Sequence, residues 1–410
     1  MKDEGGRMEN MLPPAGLLAA RTPFYYYDTR LLAETLAAVK RETERHEGWQ
    51  LHYAVKACAN RRILHQIRQA GFGADCVSGG EIKVCLESGF PADKIVFAGV
   101  GKADWEIELA LGAGIQCFNV ESIPELEVIS EIAVRLGKVA DISLRINPDI
   151  GAHTHAGITT GLAENKFGIA SEDMVRVVRI SRQLPGIRFV GLHFHIGSQI
   201  LRMDDFNALC HRVNELQDEL EAAGIGDVRS INVGGGLGID YETPDEHPVP
   251  NFKAYFATYA NGLKLRPGQQ LHFELGRAVV GQCGSLITRC LYVKQTVSKR
   301  FVIVDAGMTE LLRPALYGAC HCIQNLSASQ PHDAAAGSAG ASRPMVRYDV
   351  VGPVCESSDT FAKDLLLPET RRGDLIAIRS AGAYGETMAS QYNCRELPAA
   401  YTTEELVKNQ

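Results

Sequence analysis

LHYAVKACANRRILHQIRQAGFGADCVSGGEIKVCLESGFPADKIVFAG, residues 51–99, repeats a structural unit without repeating a sequence. Short apolar or β-branched runs end near Val55, Val77 and Ala98, and each precedes a stretch of helical periodicity such as RRILHQIRQAGF or GGEIKVCLESGF. The next run ends near Val120, so successive ends lie 21 or 22 residues apart, the pace of consecutive βα units. Further runs end near Ile146, His195, Val233 and Glu274, separated by SIPELEVISEIAVRLG, EDMVRVVRISRQL, DDFNALCHRVNELQDELEAAG and FKAYFATYANGLKL. Eight strands alternating with helices predict an α/β chain built on a (β/α)8 TIM-type barrel. A doubly wound sheet would need a glycine-rich phosphate turn directly after its first strand, and KACAN has no glycine.

Beyond Glu274 the helical period fades. LITRCLYVKQTV, RFVIVDAG, VRYDVVGPVC and GDLIAIRSAGAYG alternate as strands between turn residues, which predicts a C-terminal, mostly-β domain. The expected division is a barrel over 29–276 and a β domain over 277–410. Residues 1–28 are expected to form a flexible tail and one strand, TPFYYYD, joining the β domain. The Ala/Gly/Ser-rich stretch 325–344 reads as a flexible insertion.

Composition narrows the function. Of 410 residues, 45% are hydrophobic and 22% charged, enough apolar material for a large core and too much for a disordered chain. A net charge of −7 argues against nucleic acid as a partner, and no run approaches the ~20 apolar residues of a membrane span. The opening MKDEGGRMENMLPPAGLLAA is acidic with one short apolar patch, a poor signal peptide. Eleven cysteines, an odd number without a C-x-x-C pair, read as buried reduced thiols in a cytoplasmic protein.

Chemistry-bearing residues gather where barrels place active sites, at the C-terminal ends of strands. Lys56 follows the first strand; a snorkelling surface lysine is the bland reading, a Schiff-base lysine in a dry mouth the sharp one. His193 and His195 in GLHFHIGSQ alternate on one face, where a single core histidine would be the default. Gly234, Gly235 and Gly236 in NVGGGLGIDY form a tight turn or, with their exposed N–H groups, a phosphate cradle. Glu274 and Arg277 in HFELGR are a structural ion pair or an inward carboxylate beside an anion clamp. A lysine, a ring-facing histidine, a phosphate cradle and an inward glutamate together describe a pyridoxal phosphate site.

The motifs YAVKACAN, GADCVSGGE, ENKFG, HFHIGS, GGGLGIDY, ELGR, LLRPALYG, CESSD and GAYG occur in one order from about Thr22 to about Tyr401. In that set the chain resembles the fold type III, alanine-racemase-like pyridoxal phosphate decarboxylases. The resemblance implies that Lys56 holds the cofactor covalently, His195 stacks on its ring and Glu274 pairs with its ring nitrogen. It implies cofactor contacts from Ser198, Gly234, Gly235, Gly236, Gly276, Arg277 and Tyr384, with Asp75 and Arg145 in support. Cys355 matches the proton donor to the decarboxylated carbon. Arg277, Arg313, Tyr317, Glu356 and Tyr384 match the residues that hold the far end of a small-molecule substrate. The implied reaction is decarboxylation of meso-2,6-diaminopimelate to L-lysine, in a homodimer whose active sites are shared across the interface. The same chemistry on ornithine, arginine or carboxynorspermidine is the alternative, as is a non-catalytic pyridoxal phosphate-binding regulator. LLRPALYG speaks against the diamine-forming substrates, because Arg313 puts a cation where their far end wants an anion. Two departures, Cys58 in the lysine motif and Leu275 before Gly276, remove no functional group.

Overall fold

The computed structural model describes residues 20–150, 166–329, 343–403 and 405. They fall into two compact units. One takes residues 35–238 and 251–279; the other takes 20–34, 239–250 and 280 onward.

The first strand, β1 (Phe24–Tyr27), belongs to the second unit, and the barrel begins after it. Strands β2 (Trp49–Ala54), β3 (Gly73–Cys76), β4 (Ile95–Phe97), β5 (Cys117–Val120) and β6 (Ala140–Asn147) pair in parallel in that order. A two-residue strand, β7 (Ile169–Ala170), adds beside β6. The ring continues through β8 (Ile187–His193), β9 (Ser230–Asn232) and β10 (Gln270–Leu275), which pairs with β2 and closes it. This is the eight-stranded parallel barrel that the spacing predicts.

Local sequence sets the strand-to-helix joints. Ser78 accepts a hydrogen bond from the Glu81 N–H while the Glu81 carboxylate accepts from the Val77 N–H. Ser122 and Glu125 repeat the device, with Glu125 accepting from the Glu121 N–H. Each such box satisfies backbone donors that the helix start leaves over, a contribution of about 1 kcal/mol. Asn60 caps the helix after the Lys56 turn in the same manner.

Register shows what the barrel encloses. Residues paired across neighbouring strands face one side, and alternate residues along a strand share it. Glu274 pairs with His52, Ala54 with Asp75, Asp75 with Val96, and Val96 with Cys117. Asn119 pairs with Ser143, Arg145 with His193, His193 with Asn232, and Asn232 with His272. The inner face is therefore mostly polar and titratable, while the outer face carries Leu51, Tyr53, Ile95, Phe97, Phe118, Leu144, Leu192, Ile231 and Phe273, all buried.

The second unit is mostly β. Its strands β11 (Gly284–Gln295), β12 (Arg300–Val304), β13 (Ile323–Asn325), β14 (Met345–Val351), β15 (Thr360–Pro368), β16 (Leu375–Ile378) and β17 (Ala399–Thr402) join β1 in one sheet. β1 lies between β11, antiparallel to it, and β17, parallel to it. Phe24 and Tyr26 pack with Ile287, Leu326, Leu375 and Ala377 in an apolar cluster.

Residues 239–250, which the sequence reading leaves inside the barrel, pack in this unit instead. Asp245 pairs with Arg379 at 3.0 Å, Gln282 donates to the His247 carbonyl, and the Cys322 N–H donates to the Tyr241 carbonyl. Polar groups on that loop thus find their partners on residues flanking the strands of this unit, which no local periodicity announces. Residues 330–342 of the expected insertion and residues 1–19 of the expected tail lie outside the described residues, as do Glu164 and Asn165 of ENKFG. Among the described residues no helix is long and apolar enough to cross a membrane.

Candidate active site

Lys56 sits in a single 3-10 turn, Val55–Ala57, immediately after β2. Its amine lies 3.7 Å from Asp75 at the end of β3. The lysine side chain is 40% exposed and Asp75 only 1%. The mouth around Lys56 is thus open to water in the single chain, and the carboxylate is the sequestered partner. Among the described residues no donor bonds either Asp75 oxygen. Burial, and then the charge of Glu274, push the Asp75 carboxyl well above its ordinary range, with Lys56 pulling the other way. A buried carboxyl without a donor is costly unless a ligand completes it. Gly276 belongs to this corner: a Cβ there would meet Ala54 and Ala57 at 3.0–3.1 Å, so glycine lets the end of β10 close on the lysine turn.

Glu274 occupies the barrel interior. One oxygen accepts from the amides of Asn119 (3.0 Å) and Asn232 (2.8 Å), and the other from the His193 ring at 2.9 Å. Burial alone would raise this carboxyl; His193, by charge and by hydrogen bond, and then Lys56 hold it well below the ordinary range. Glu274 is thus an ionised carboxylate in a dry place. Three accepted bonds leave one of its roughly four lone-pair positions for a further donor.

His195 lies just past β8. Its Nδ1 accepts from the Gly235 N–H at 3.3 Å, so the neutral ring carries its proton on Nε2. Burial, followed by the charges of Arg145 and Lys56, holds the ring far below the usual histidine range and keeps it neutral. The glycine run after β9 packs against the same corner. A Cβ on Gly235 would fall 1.9 Å from the Glu274 carbonyl, one on Gly234 2.4 Å from the Phe194 carbonyl, and one on Gly236 2.7 Å from the Gly197 carbonyl. Gly234 and Gly236 also have φ of +67° and +104°, which L side chains rarely adopt. Ser198 accepts from Arg277 through Nη2 (3.0 Å) and Nε (3.3 Å), fixing that guanidinium near the end of β10. Arg145 is held by Glu121 at 2.8 Å and lies over the Phe167 ring at 4.8 Å.

The remaining candidates lie in the β unit. Arg313 and Tyr317 bound a single helical turn that Gly318 ends at φ +62°. Arg313 is buried, donates to His321 at 2.8 Å and covers the Tyr241 ring at 4.6 Å. Tyr384 holds a left-handed backbone, φ +56°, beside Gly385, where a Cβ would collide with the Ala381 carbonyl. Cys355 and Glu356 stand on an exposed loop. The loop's base is drawn together by Asp359, whose carboxylate accepts from the Val354 and Met308 N–H groups, and Tyr392 donates to Glu356 at 2.9 Å.

The structure therefore brings Lys56, Asp75, Glu274, His195, Gly235, Ser198 and Arg277 into contacts within the barrel. It adds Asn119, Asn232 and Glu121 there, and in the β unit it sets Tyr241 and His321 around Arg313; sequence reasoning singled out none of the five. The nearest signal for Asn232 is its place two residues before Gly234, on the face that Glu274 shares; Asn119 and His321 carry none. The barrel set suits pyridoxal phosphate. It offers an amine for a carbonyl, a buried carboxylate with an acceptor position to spare, Asp75 oxygens that accept no hydrogen bond from the described residues, and a glycine turn that a side chain would fill.

A family model described as the pyridoxal-dependent decarboxylase pyridoxal-binding domain matches residues 32–281. A diaminopimelate decarboxylase of Bacteroides thetaiotaomicron is 61% identical over 400 residues, covering 98% of this chain and all of the relative. A Helicobacter pylori diaminopimelate decarboxylase, solved in complex with L-lysine, superposes with a TM-score of 0.85 at 41% identity, over 94% of this chain and 93% of the other. A Vibrio vulnificus lysine/ornithine decarboxylase, solved with putrescine, reaches a TM-score of 0.77 at 19% identity over 95% of this chain and 97% of the other, a likeness of fold alone.

Proposed function

The chain belongs to the diaminopimelate decarboxylase family of pyridoxal-dependent enzymes, and on that basis we propose that it removes carbon dioxide from the D-configured centre of meso-2,6-diaminopimelate to leave L-lysine. The observation that carries the reading is the Glu274 carboxyl, held dry by Asn119, Asn232 and His193 on the same inner face as Asp75. When bound, pyridoxal phosphate supplies a cationic ring that takes up the electron pair released with carbon dioxide. Lys56 would hold the cofactor, and Glu274 would face its ring nitrogen and favour a positive charge there. Gly234, Gly235, Gly236, Gly276, Ser198, Arg277 and Tyr384 hold its phosphate and edges. His195 would lie neutral beside the ring, Asp75 would sit next to the Lys56 nitrogen, and Glu121 keeps Arg145 in place. Arg277, Arg313, Tyr317, Tyr384 and Glu356 bind the distal end of the substrate, and Cys355 returns the proton.

Arg313 distinguishes this substrate from its competitors. A site built to bind a carboxylate rejects analogues that lack it by about 10⁴–10⁵-fold. Carbon dioxide release from meso-diaminopimelate, ornithine and arginine decides the matter, together with borohydride reduction and a peptide map of the pyridoxyl label. Diaminopimelate alone should be turned over efficiently, with the label on Lys56. Comparable turnover of ornithine, or label on Lys83 or Lys166, would overturn the assignment.

The exposed Cys355 and Glu356 support a homodimer in which each chain's loop completes the partner's site. Lys56→Ala and Cys355→Ala chains, inactive alone, should then complement when refolded together. A mixed dimer collects both defects in one site, so about a quarter of the activity returns on random mixing. No recovery from demonstrated mixed dimers would place the cysteine's action within its own chain. The eleven cysteines, all free and seven of them buried, support the cytoplasm as its compartment.

A further inference from the structure

We propose that His321 is a positioning residue that aims Arg313, and thereby sets the preference for a substrate with a carboxylate at its far end. The proposal rests on the role given to Arg313 above. His321 is buried, and its Nδ1 lies 2.8 Å from the Arg379 carbonyl. A carbonyl only accepts, so Nδ1 carries the proton and donates it. Nε2 is then left with its lone pair, which faces the Arg313 Nη1 at 2.8 Å. A guanidinium only donates, so the two contacts agree on one tautomer and one charge state: a neutral Nδ1–H imidazole.

That choice of partner has a consequence for binding. A carboxylate in the place of His321 would hold the guanidinium equally well and would neutralise it. Imidazole fixes Arg313 through a hydrogen bond while adding no negative charge, so the positive charge stays available to an anionic ligand. The surroundings keep His321 from turning. Tyr241 meets its ring edge-on at a centroid distance of 5.0 Å, and the same tyrosine underlies the Arg313 guanidinium. The accepting carbonyl is itself anchored, because the Arg379 side chain bonds Asp245 at 3.0 Å and Gln324 at 2.9 Å, and its N–H bonds the Cys322 carbonyl. Asp245, Arg379, His321 and Arg313 form a relay of fixed contacts that ends on the residue reading the substrate.

The test is steady-state kinetics of the holoenzyme with meso-diaminopimelate. His321→Leu should raise KM about tenfold, the scale of one hydrogen bond to a charged group, with kcat much less affected. His321→Gln should recover most of the loss, since its amide donates to the Arg379 carbonyl and its oxygen accepts from Arg313. In an Arg313→Ala background His321→Leu should add nothing to KM, which a merely structural role would not produce. Should His321→Leu fail to fold, His321→Asn, too short to span both partners, carries the same expectation. If Arg313→Ala raises KM and His321→Leu does not, the positioning role is wrong. If Arg313→Ala itself leaves KM unchanged, the assignment of Arg313 falls and this inference with it.

Discussion

The inner face of the barrel and the apolar cluster of the β unit bury opposite kinds of side chain. Inside the barrel lie His52, Asp75, Asn119, Arg145, His193, Asn232, His272 and Glu274, tied by hydrogen bonds and ion pairs. The β unit buries Phe24, Tyr26, Ile287, Leu326 and Leu375 against one another. Apolar burial contributes about 25 cal/mol per Å² and needs no partner atom, so the β-unit cluster is a source of stability. Enclosed polar groups at best break even against the loss of water, and each needs its partner in place. The barrel's stability must therefore come from its outer face, where Phe273 packs against Tyr255, Phe256 and Tyr259 of the helix Phe252–Gly262 and Phe97 against Phe118, which leaves the inner face for chemistry.

Three measurements put that contrast at risk. The largest effect is expected from Phe24→Ala. It removes a fully buried ring that meets Tyr401 edge-on, and should cost about 3–5 kcal/mol in a denaturant titration. Activity per folded molecule should stay near wild type. A small loss of stability with a large loss of turnover would reverse the roles given to the two units.

Glu274→Gln should do the opposite. The amide oxygen can still accept from Asn119 and Asn232, and His193, whose Nδ1 bonds no group among the described residues, can exchange tautomers to accept from the amide nitrogen. Stability should change little, while kcat falls about 10²–10³-fold, the scale of losing one preorganised electrostatic group. An unchanged kcat would make the inner face structural.

The third concerns pH. His52 and His272 share a hydrogen bond of 3.0 Å. Burial lowers His52 to about 4 and His272, helped by the charge of His52, to about 3. Unfolded histidines titrate near 6.5, so between these values the unfolded chain binds more protons, and stability falls as the pH drops through that window. The His52 share alone is roughly 3 kcal/mol. Urea midpoints between pH 7 and pH 4 should show the decline, and His52→Gln should flatten it. A wild-type midpoint that ignores pH would mean that the pair is hydrated.

Both units were legible in the sequence to different depths. The barrel could be counted because strands alternate with helices, the first four at a steady spacing, and because Ser78–Glu81 and Ser122–Glu125 mark two of the joints in local code. Lys56, His195, Gly234 to Gly236, Glu274 and Arg277 stood out because strand ends are where a barrel can present chemistry. Asn119 and Asn232 did not stand out. An asparagine on a strand carries no mark of its own; its role appears only when the ring closes and brings it to Glu274, 155 and 42 residues away. Likewise His321 is one more polar residue until Arg379, 58 residues on, fixes its tautomer.

Periodicity, capping and strand-end chemistry are properties of neighbours along the chain. They were enough to specify the barrel, the mostly-β character of the C-terminal part and the cluster of reactive residues at the barrel mouth. Long-range packing was needed to assign 239–250 to the β unit and to set β1 between β11 and β17. It was needed again to make Glu274 an ionised carboxylate, because the charge of a buried carboxyl depends on donors brought from distant strands, and no short-range pattern encodes which strands those will be.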